Sequence, residues 1–234
     1  MQLSDIQALV TGGSSGIGRA TAKMIIESGG EAVIAARTKS KLEQTAEDIG
    51  AIPIQCDVGD EQQVEELIQK TDKQLDNYNV LINNAGYGSH KKLINVSAKE
   101  MEDQLQTNTI GAMMVARESA KVFIDNDYGN IVNVSSSSGK RGYAGGTSYV
   151  ASKFALSGMT QCWRAELRPH NIRVMQVNPS EVQTPFFSDG HEIERDINET
   201  KLVADDIAQS ICDMLGMHDR AFITETSVWA TNPK

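Results

Sequence analysis

Short, almost wholly apolar runs of β-favouring residues alternate with stretches that repeat at helical spacing, and this alternation restricts the fold more than any other feature of the chain. The runs are Ile6–Val10, Ala32–Ala36, Ile52–Cys56, Val80–Asn83, Ile131–Val134, Ile172–Val177 and Ala221–Ile223. Between them, Ile17, Ala20, Thr21, Met24 and Ile25 follow the i, i+3, i+4, i+7, i+8 pattern of one helix face. Leu42, Thr45, Ala46 and Ile49 repeat it, and Gly50 stands where a left-handed cap would end that helix. Val64, Leu67, Ile68, Thr71 and Leu75 do so again, and Met101, Leu105, Ala112, Val115, Ala116, Ser119, Val122 and Phe123 mark the buried stripe of one long helix. Strands apolar on both faces and joined by helices predict an α/β fold, a doubly wound parallel sheet flanked by helices on both faces. Ligands of such sheets bind beyond the carboxyl ends of the strands, so any functional motif should fall just after a strand.

No linker, low-complexity run or internal repeat divides the 234 residues, which predicts a single domain over 1–234. The formal charge of −9, from 22 basic and 31 acidic residues, repels phosphate backbones and anionic lipid. Neither nucleic acid nor membrane is an expected partner, and no apolar run is long enough to cross a bilayer. Cys56, Cys162 and Cys212 are far apart and read as buried thiols of a reducing compartment. No metal site is expected. With a strand beginning within a few residues of Met1, there is no room for a signal peptide, and the expected location is cytoplasmic.

The first strand run is followed by Thr11-Gly12-Gly13-Ser14-Ser15-Gly16-Ile17-Gly18, and a helix begins inside this segment. Glycine lets backbone N–H groups approach a pyrophosphate closely, and a helix N-terminus adds unpaired donors and partial positive charge. The segment therefore predicts a dinucleotide site in a Rossmann-type sheet. About 20 residues further on, a carboxylate would accept hydrogen bonds from the ribose of NAD. This chain has Ala36-Arg37-Thr38 there instead. Arg37 suits a 2′-phosphate, which predicts NADP(H); the alternative is a solvated arginine opening the next helix.

Tyr149 and Lys153, at i and i+4, share one helix face, and Ser135-Ser136 leaves the strand Ile131–Val134 just ahead of a Gly-rich loop that can fold back on them. An alkoxide formed by hydride addition needs a proton, and a tyrosine near its ordinary pKa of about 10 gives or takes one reluctantly at neutrality. A neighbouring ammonium would draw that pKa down, while a serine hydroxyl would hold the carbonyl oxygen. Asn108 falls on the buried stripe of the long helix, where an amide must be hydrogen-bonded; it is either a satisfied core residue or part of a water path to Lys153.

Assembled in this order, the motifs closely resemble the short-chain dehydrogenase/reductase family, in particular its 3-oxoacyl-carrier-protein reductase-like members. They are Thr11-Gly12…Gly16-Ile17-Gly18, Asn83-Asn84-Ala85-Gly86, Asn108, Ser136 and Tyr149-Val150-Ala151-Ser152-Lys153. The resemblance runs from the first strand to about Thr184 and selects Ser136 among its neighbours, 13 residues before Tyr149. It implies Tyr149 as proton donor or acceptor, Lys153 as its partner and ribose ligand, Ser136 on the carbonyl, and Asn108 in a proton relay. The family's cofactor residues map to Gly12, Ser14, Ser15, Gly16, Ile17, Gly18 and Arg37, and, at the adenine and adenosine side, to Asp57, Val58, Asn84, Ala85 and Gly86. Pro179, Val182 and Thr184 map to the nicotinamide side. Asp57 has a plainer alternative as the cap of a turn. Pro179-Ser180 departs from the family's Pro-Gly, and Glu225-Thr226-Ser227-Val228-Trp229 replaces the Gly-rich tail common among carrier-protein reductases.

The expected function is hydride transfer between NADP(H) and a small carbonyl or alcohol substrate, first a 3-oxoacyl thioester. The alternative is a small ketone or hydroxy acid, suggested by the tail and by Asp125 and Asp127. More remote is a catalytically silent NADP-binding regulator, against which the intact Asn108, Ser136, Tyr149 and Lys153 stand. Cofactor binding is expected over about 1–130, and catalysis over about 131–234 with a lid at about 185–200. Lys91, Lys92, Lys140 and Arg141 are either a basic rim for an anionic substrate or solvated loop charges. Phe154, Leu156, Met159, Cys162, Trp163 and Leu167 cover more than one helix face, as expected of a homodimer or homotetramer.

Overall fold

A computed structural model of the chain describes residues 1–184, 186 and 198–232. The expected lid at 185–200 therefore lies for the most part outside the described residues. Seven strands form one wholly parallel sheet in the order β3-β2-β1-β4-β5-β6-β7. They are β1 (Gln7–Thr11), β2 (Glu31–Ala36), β3 (Ile52–Gln55), β4 (Val80–Asn83), β5 (Gly129–Val134), β6 (Ile172–Pro179) and β7 (Glu225–Val228). The helices that cover it are α1 (Gly16–Glu27), α2 (Lys39–Ile49), α3 (Glu61–Gln74), α4 (Ala98–Leu105), α5 (Ala112–Asp125), α6 (Thr147–Leu167) and α7 (Ala204–Leu215).

The two-residue period of a strand divides the core. Ala8 and Val10 of β1 join α1, α2 and α7 on one face, whereas Leu9 faces α3 and α5 on the other. The order of strands reverses between β1 and β4, and this opens a crevice at their carboxyl ends. Gly50 caps α2 at φ +75°, as its position predicts.

Three expectations need correction. The seventh strand is Glu225–Val228, not Ala221–Ile223: an edge strand pairing only with β6 has one solvent-facing row, and its alternation of exposed and half-buried residues is polar enough to escape an apolar search. The long helix is divided by a π-helical segment, Gln106–Gly111, with Asn108 inside it. Cys56 and Cys212 are buried, but Cys162 is exposed on the outer face of α6. No helix among the described residues is long and apolar enough to cross a membrane.

Candidate active site

β1 passes into α1 through four residues, and this turn is packed backbone against backbone. Gly12 lies at φ +65°, a left-handed conformation that side chains disfavour. A Cβ at Gly18 would stand 2.4 Å from the Gly12 carbonyl oxygen, which cannot move aside. Ser15 occupies the N-cap of α1 without a side-chain cap bond, so the first amides of the helix await an acceptor from outside it. Ser14 is held through its carbonyl by the Thr45 hydroxyl at 3.1 Å, and Ile17 by the Thr21 hydroxyl at 2.8 Å.

β4 braces the same turn. Thr11 Oγ1 accepts from the backbone N–H groups of Asn84 and Ala85, each at 3.0 Å. The Asn84 amide donates to the carbonyls of Thr11 at 2.9 Å and Gly12 at 3.3 Å. Thr184 approaches from the far side, 3.3 Å from where a Cβ on Gly16 would be. Pro179 ends β6 fully buried, and Val182 forms an isolated parallel bridge with Leu202. This is a cradle any added side chain would fill, with uncapped helix amides at its floor, and it fits a dinucleotide pyrophosphate.

At the outer end, Arg37 is exposed, and its charge acts on Tyr87, whose phenol is pushed up mainly by burial and drawn back in part by Arg37. Asp57 Oδ1 accepts from the Gly59 N–H at 2.9 Å, so the residue does cap the turn after β3. Val58 is buried, its carbonyl 2.7 Å from where a Cβ on Gly111 would lie.

β5 delivers Ser136 to the head of a 3-10 turn, Ser137–Gly139, and the chain returns to start α6 at Thr147. Ser136 Oγ accepts from the Ser138 N–H at 3.1 Å, and the Ser136 hydroxyl acts on the Tyr149 phenol to draw its pKa down in part. Lys153, one turn beyond Tyr149, is buried; its Nζ donates to the Val134 carbonyl at 2.9 Å and lies 5.8 Å from the centre of the Tyr149 ring. The sequence thus assembles serine, tyrosine and lysine as expected. Their electrostatics differ from expectation. Burial pushes Tyr149 up to about 12, against the Ser136 hydrogen bond and with help from Tyr143. Burial also draws Lys153 down to about 8. Removal from water disfavours the charged form of each, so the phenol and the amine are both pushed toward neutrality.

Asn108 clips a loop to a helix. Its Oδ1 accepts from the Tyr87 N–H at 3.0 Å, and its Nδ2 donates to the Tyr87 carbonyl at 2.8 Å and to Ser152 Oγ at 3.1 Å. Ser152 Oγ donates in turn to the Tyr149 carbonyl at 2.7 Å. The side chain is a satisfied amide that ties the loop after β4 to the catalytic helix. Gly86 makes room for it, because a Cβ there would lie 3.0 Å from Asn108 Oδ1.

The walls around Tyr149 are joined as well. Lys91 N–H donates to the Gly145 carbonyl at 2.9 Å, and the rings of His90 and Tyr143 lie 5.4 Å apart. Phe186 meets Tyr149 edge-on, with ring centres 5.6 Å apart. Of the four residues considered for a basic rim, three are engaged: Lys91 pairs with Glu100, Lys140 with Glu225 at 2.9 Å, and Arg141 lies 5.1 Å over the Trp229 ring. Sequence reasoning missed Ser152 and Glu225. Ser152 carried a signal, a small polar residue between Tyr149 and Lys153 on the buried side of α6; Glu225 carried none before its strand was placed.

The family model described as "short chain dehydrogenase" matches residues 7–194. A 3-oxoacyl-[acyl-carrier-protein] reductase of Bos taurus is 35% identical over 185 residues, 78% of this chain and 78% of that protein. An NADP-dependent 3-hydroxy acid dehydrogenase of Schizosaccharomyces pombe (strain 972 / ATCC 24843) is 31% identical over 238 aligned positions, 96% of this chain and 92% of that one. Among solved structures, a metagenomic short-chain oxidoreductase in complex with NADP is 28% identical, superposes with a TM-score of 0.84, and is covered completely by 98% of this chain. With its parallel seven-stranded sheet and a Ser136–Tyr149–Lys153 cluster at the carboxyl end of β5, the chain belongs to the short-chain dehydrogenase family, an oxidoreductase acting on CH–OH and C=O groups.

Proposed function

We propose that the chain uses NADP(H) to reduce a carbonyl substrate, with 3-oxoacyl thioesters as the first substrate class. The observation that carries this reading is buried Lys153, its Nζ 5.8 Å from the centre of the buried Tyr149 ring, with Ser136 at the end of β5 acting on the same phenol. Similarity to the bovine reductase supports the thioester. For the cofactor, the support is Arg37 in place of a carboxylate, the NADP dependence of the fission-yeast relative and the NADP held by the metagenomic structure.

In this reading the cofactor half spans about 1–130 and the catalytic half about 131–234. Gly12, Ser14, Ser15, Gly16, Ile17 and Gly18 hold the pyrophosphate, Arg37 the 2′-phosphate, and Asp57, Val58, Asn84, Ala85 and Gly86 line the adenosine side. Pro179, Val182 and Thr184 line the nicotinamide side. When bound, NADPH supplies the hydride that reduces the carbonyl carbon. Ser136 Oγ donates to the carbonyl oxygen and holds it beside Tyr149. Tyr149, a neutral phenol whose pKa burial pushes up to about 12, gives its phenolic proton to that oxygen as the alkoxide forms. Lys153 stabilises the resulting phenolate and holds the cofactor ribose, and Asn108 keeps the loop after β4 and the catalytic helix in register for the return of a proton. The exposed outer face of α6 belongs to a self-association surface. Three free thiols suit the reducing cytoplasm in which we place the reaction.

The test is NADPH consumption with an acetoacetyl thioester beside a Tyr149→Phe variant. Turnover should fall by about a hundredfold to ten-thousandfold while NADPH binding, read by nucleotide fluorescence, is kept. Undiminished turnover in the variant would sink the tyrosine mechanism. A second arm repeats the assay with NADH and Arg37→Ala, which should raise KM for NADPH at least about tenfold more than for NADH; equal changes would reject the 2′-phosphate role. A second substrate reading, 3-hydroxy and 3-oxo acids, is favoured because similarity to the fission-yeast dehydrogenase extends over 96% of the chain. Thioester inertness in a protein that binds NADPH and reduces a free 3-oxo acid would decide for it.

A further inference from the structure

The last strand of the sheet reaches back to the catalytic serine. Glu225 opens β7, opposite Gln176 of β6. Its Oε1 accepts from three side chains: Asn178 Nδ2 at 2.6 Å, Lys140 Nζ at 2.9 Å and Gln176 Nε2 at 3.2 Å. Two of these lead to Ser136 by different routes. Lys140 closes the 3-10 turn that Ser136 heads: its N–H donates to the Ser137 carbonyl at 3.1 Å, one residue after Gly139 N–H donates to Ser136 at 2.9 Å. Gln176 Nε2 donates to Ser157 Oγ at 3.1 Å, and Ser157 Oγ lies 3.3 Å from the hydroxyl of Ser135, the residue before Ser136. The space between these routes is full, since a Cβ on Gly139 would come within 2.7 Å of both hydroxyls. Arg141 adds a second hold by stacking on Trp229, just past β7.

Resting on the hydride-transfer reading, we propose that Glu225 is the positioning residue of the catalytic serine turn, gripping it in front through Lys140 and behind through Gln176 and Ser157. An ionised carboxylate suits this junction, because its donors include an ammonium and two buried amides; Gln176 Nε2 shares its two hydrogens with Asn178 Oδ1 at 2.8 Å as well, and Asn178 Nδ2 also reaches the Thr226 carbonyl at 3.2 Å. The hydrogen bonds from Lys140 and Asn178 hold the Glu225 carboxyl below its ordinary range against the opposing pull of burial, so it is charged at neutral pH. The strand itself does not depend on this charge. β7 pairs with β6 through its backbone over four residues, and Arg164 Nη2 donates to the Thr224 carbonyl at 2.7 Å. Loss of the carboxylate should therefore release the serine turn and leave the strand in place.

The experiment compares the full chain with Glu225→Gln, Lys140→Met and the double variant, by hydrogen exchange and by steady-state kinetics with NADPH and the carbonyl substrate. In Glu225→Gln, amides of residues 137–146 should exchange about tenfold faster or more, with β6 and β7 unchanged. kcat should fall about tenfold or more, with NADPH affinity kept within about twofold. Lys140→Met should reproduce both effects, and the double variant should add little to either single one. Unchanged exchange at 137–146, acceleration spread evenly over the chain, full kcat in a loosened variant, or additive effects would each overturn the proposal. Should the wild type reduce no carbonyl compound, the hydride-transfer reading fails on its own, and the exchange pattern still decides whether Glu225 holds the turn.

Discussion

Lys153 sits where an ammonium is least welcome, fully enclosed, with the Val134 carbonyl as its hydrogen-bond acceptor and its pKa drawn down by burial to about 8. Between that value and its ordinary 10.5, an unfolded chain holds a proton that the folded chain has released. Stability should rise with pH across that window on account of this residue, because the unfolded state binds more protons there. Below pH 8 the folded chain carries the full penalty, about 3 kcal/mol by the size of the shift. Lys153→Met should thus be the more stable protein in urea melts at pH 7, less about 1 kcal/mol for the lost hydrogen bond, and its advantage should close by pH 10.5. The buried thiols and phenols that titrate nearby are common to both proteins and drop out of the difference. An advantage that is absent at pH 7, or that does not change with pH, would remove the idea that this lysine is held at the expense of stability for the sake of its chemistry.

At the scale of elements, the π segment Gln106–Gly111 is the feature that links packing to the site. A π turn widens the helix and re-aims its side chains, and such turns gather at functional positions. Here it sets Asn108 against both backbone groups of Tyr87. Asn108→Ala leaves that N–H without its acceptor and the carbonyl with only the Gln104 amide, which donates to it at 2.8 Å; the loss should cost about 1–3 kcal/mol in denaturant melts and lower kcat more than it raises KM. Asn108→Asp should be no better, since a carboxylate cannot donate to the Tyr87 carbonyl; a melt within about 0.5 kcal/mol of wild type for either variant would contradict the clip. The sequence disclosed six strands because each turns apolar residues inward on at least one face, half-buried in β3 and buried in the rest, and it disclosed Asn108 because a polar side chain stood on an apolar stripe. It concealed the π turn, since spacings of three and four around Leu105, Asn108 and Ala112 suit an ordinary α-helix equally well. β7 was hidden by its polar edge, and with it the part played by Glu225, which exists only once residue 225 lies beside residue 176.

For the whole molecule, the catalytic cluster was legible because its members are local in sequence or bound by a short loop, whereas its electrostatics depend on burial, which no motif states. The outer surface of α6 remains apolar in part: Phe154 is 45% exposed, and Cys162 is exposed two turns further along. If this face carries a second copy, static light scattering should give the mass of a dimer or larger assembly, and Phe154→Glu should move it toward a monomer. A wild-type monomer at micromolar concentration would refute that surface.

The strand order has one more consequence, for the chain as it is made. β1 lies inside the sheet between β2 and β4, yet β4 begins at Val80. As the polypeptide leaves the ribosome, β1 can gain β2 early, but its other edge, with Ala8, Leu9 and Val10 all destined for burial, waits some seventy residues for its native neighbour. For that interval the nascent protein presents an open apolar edge at what will become its centre, and the phosphate turn that grows from it has no Asn84 to brace it.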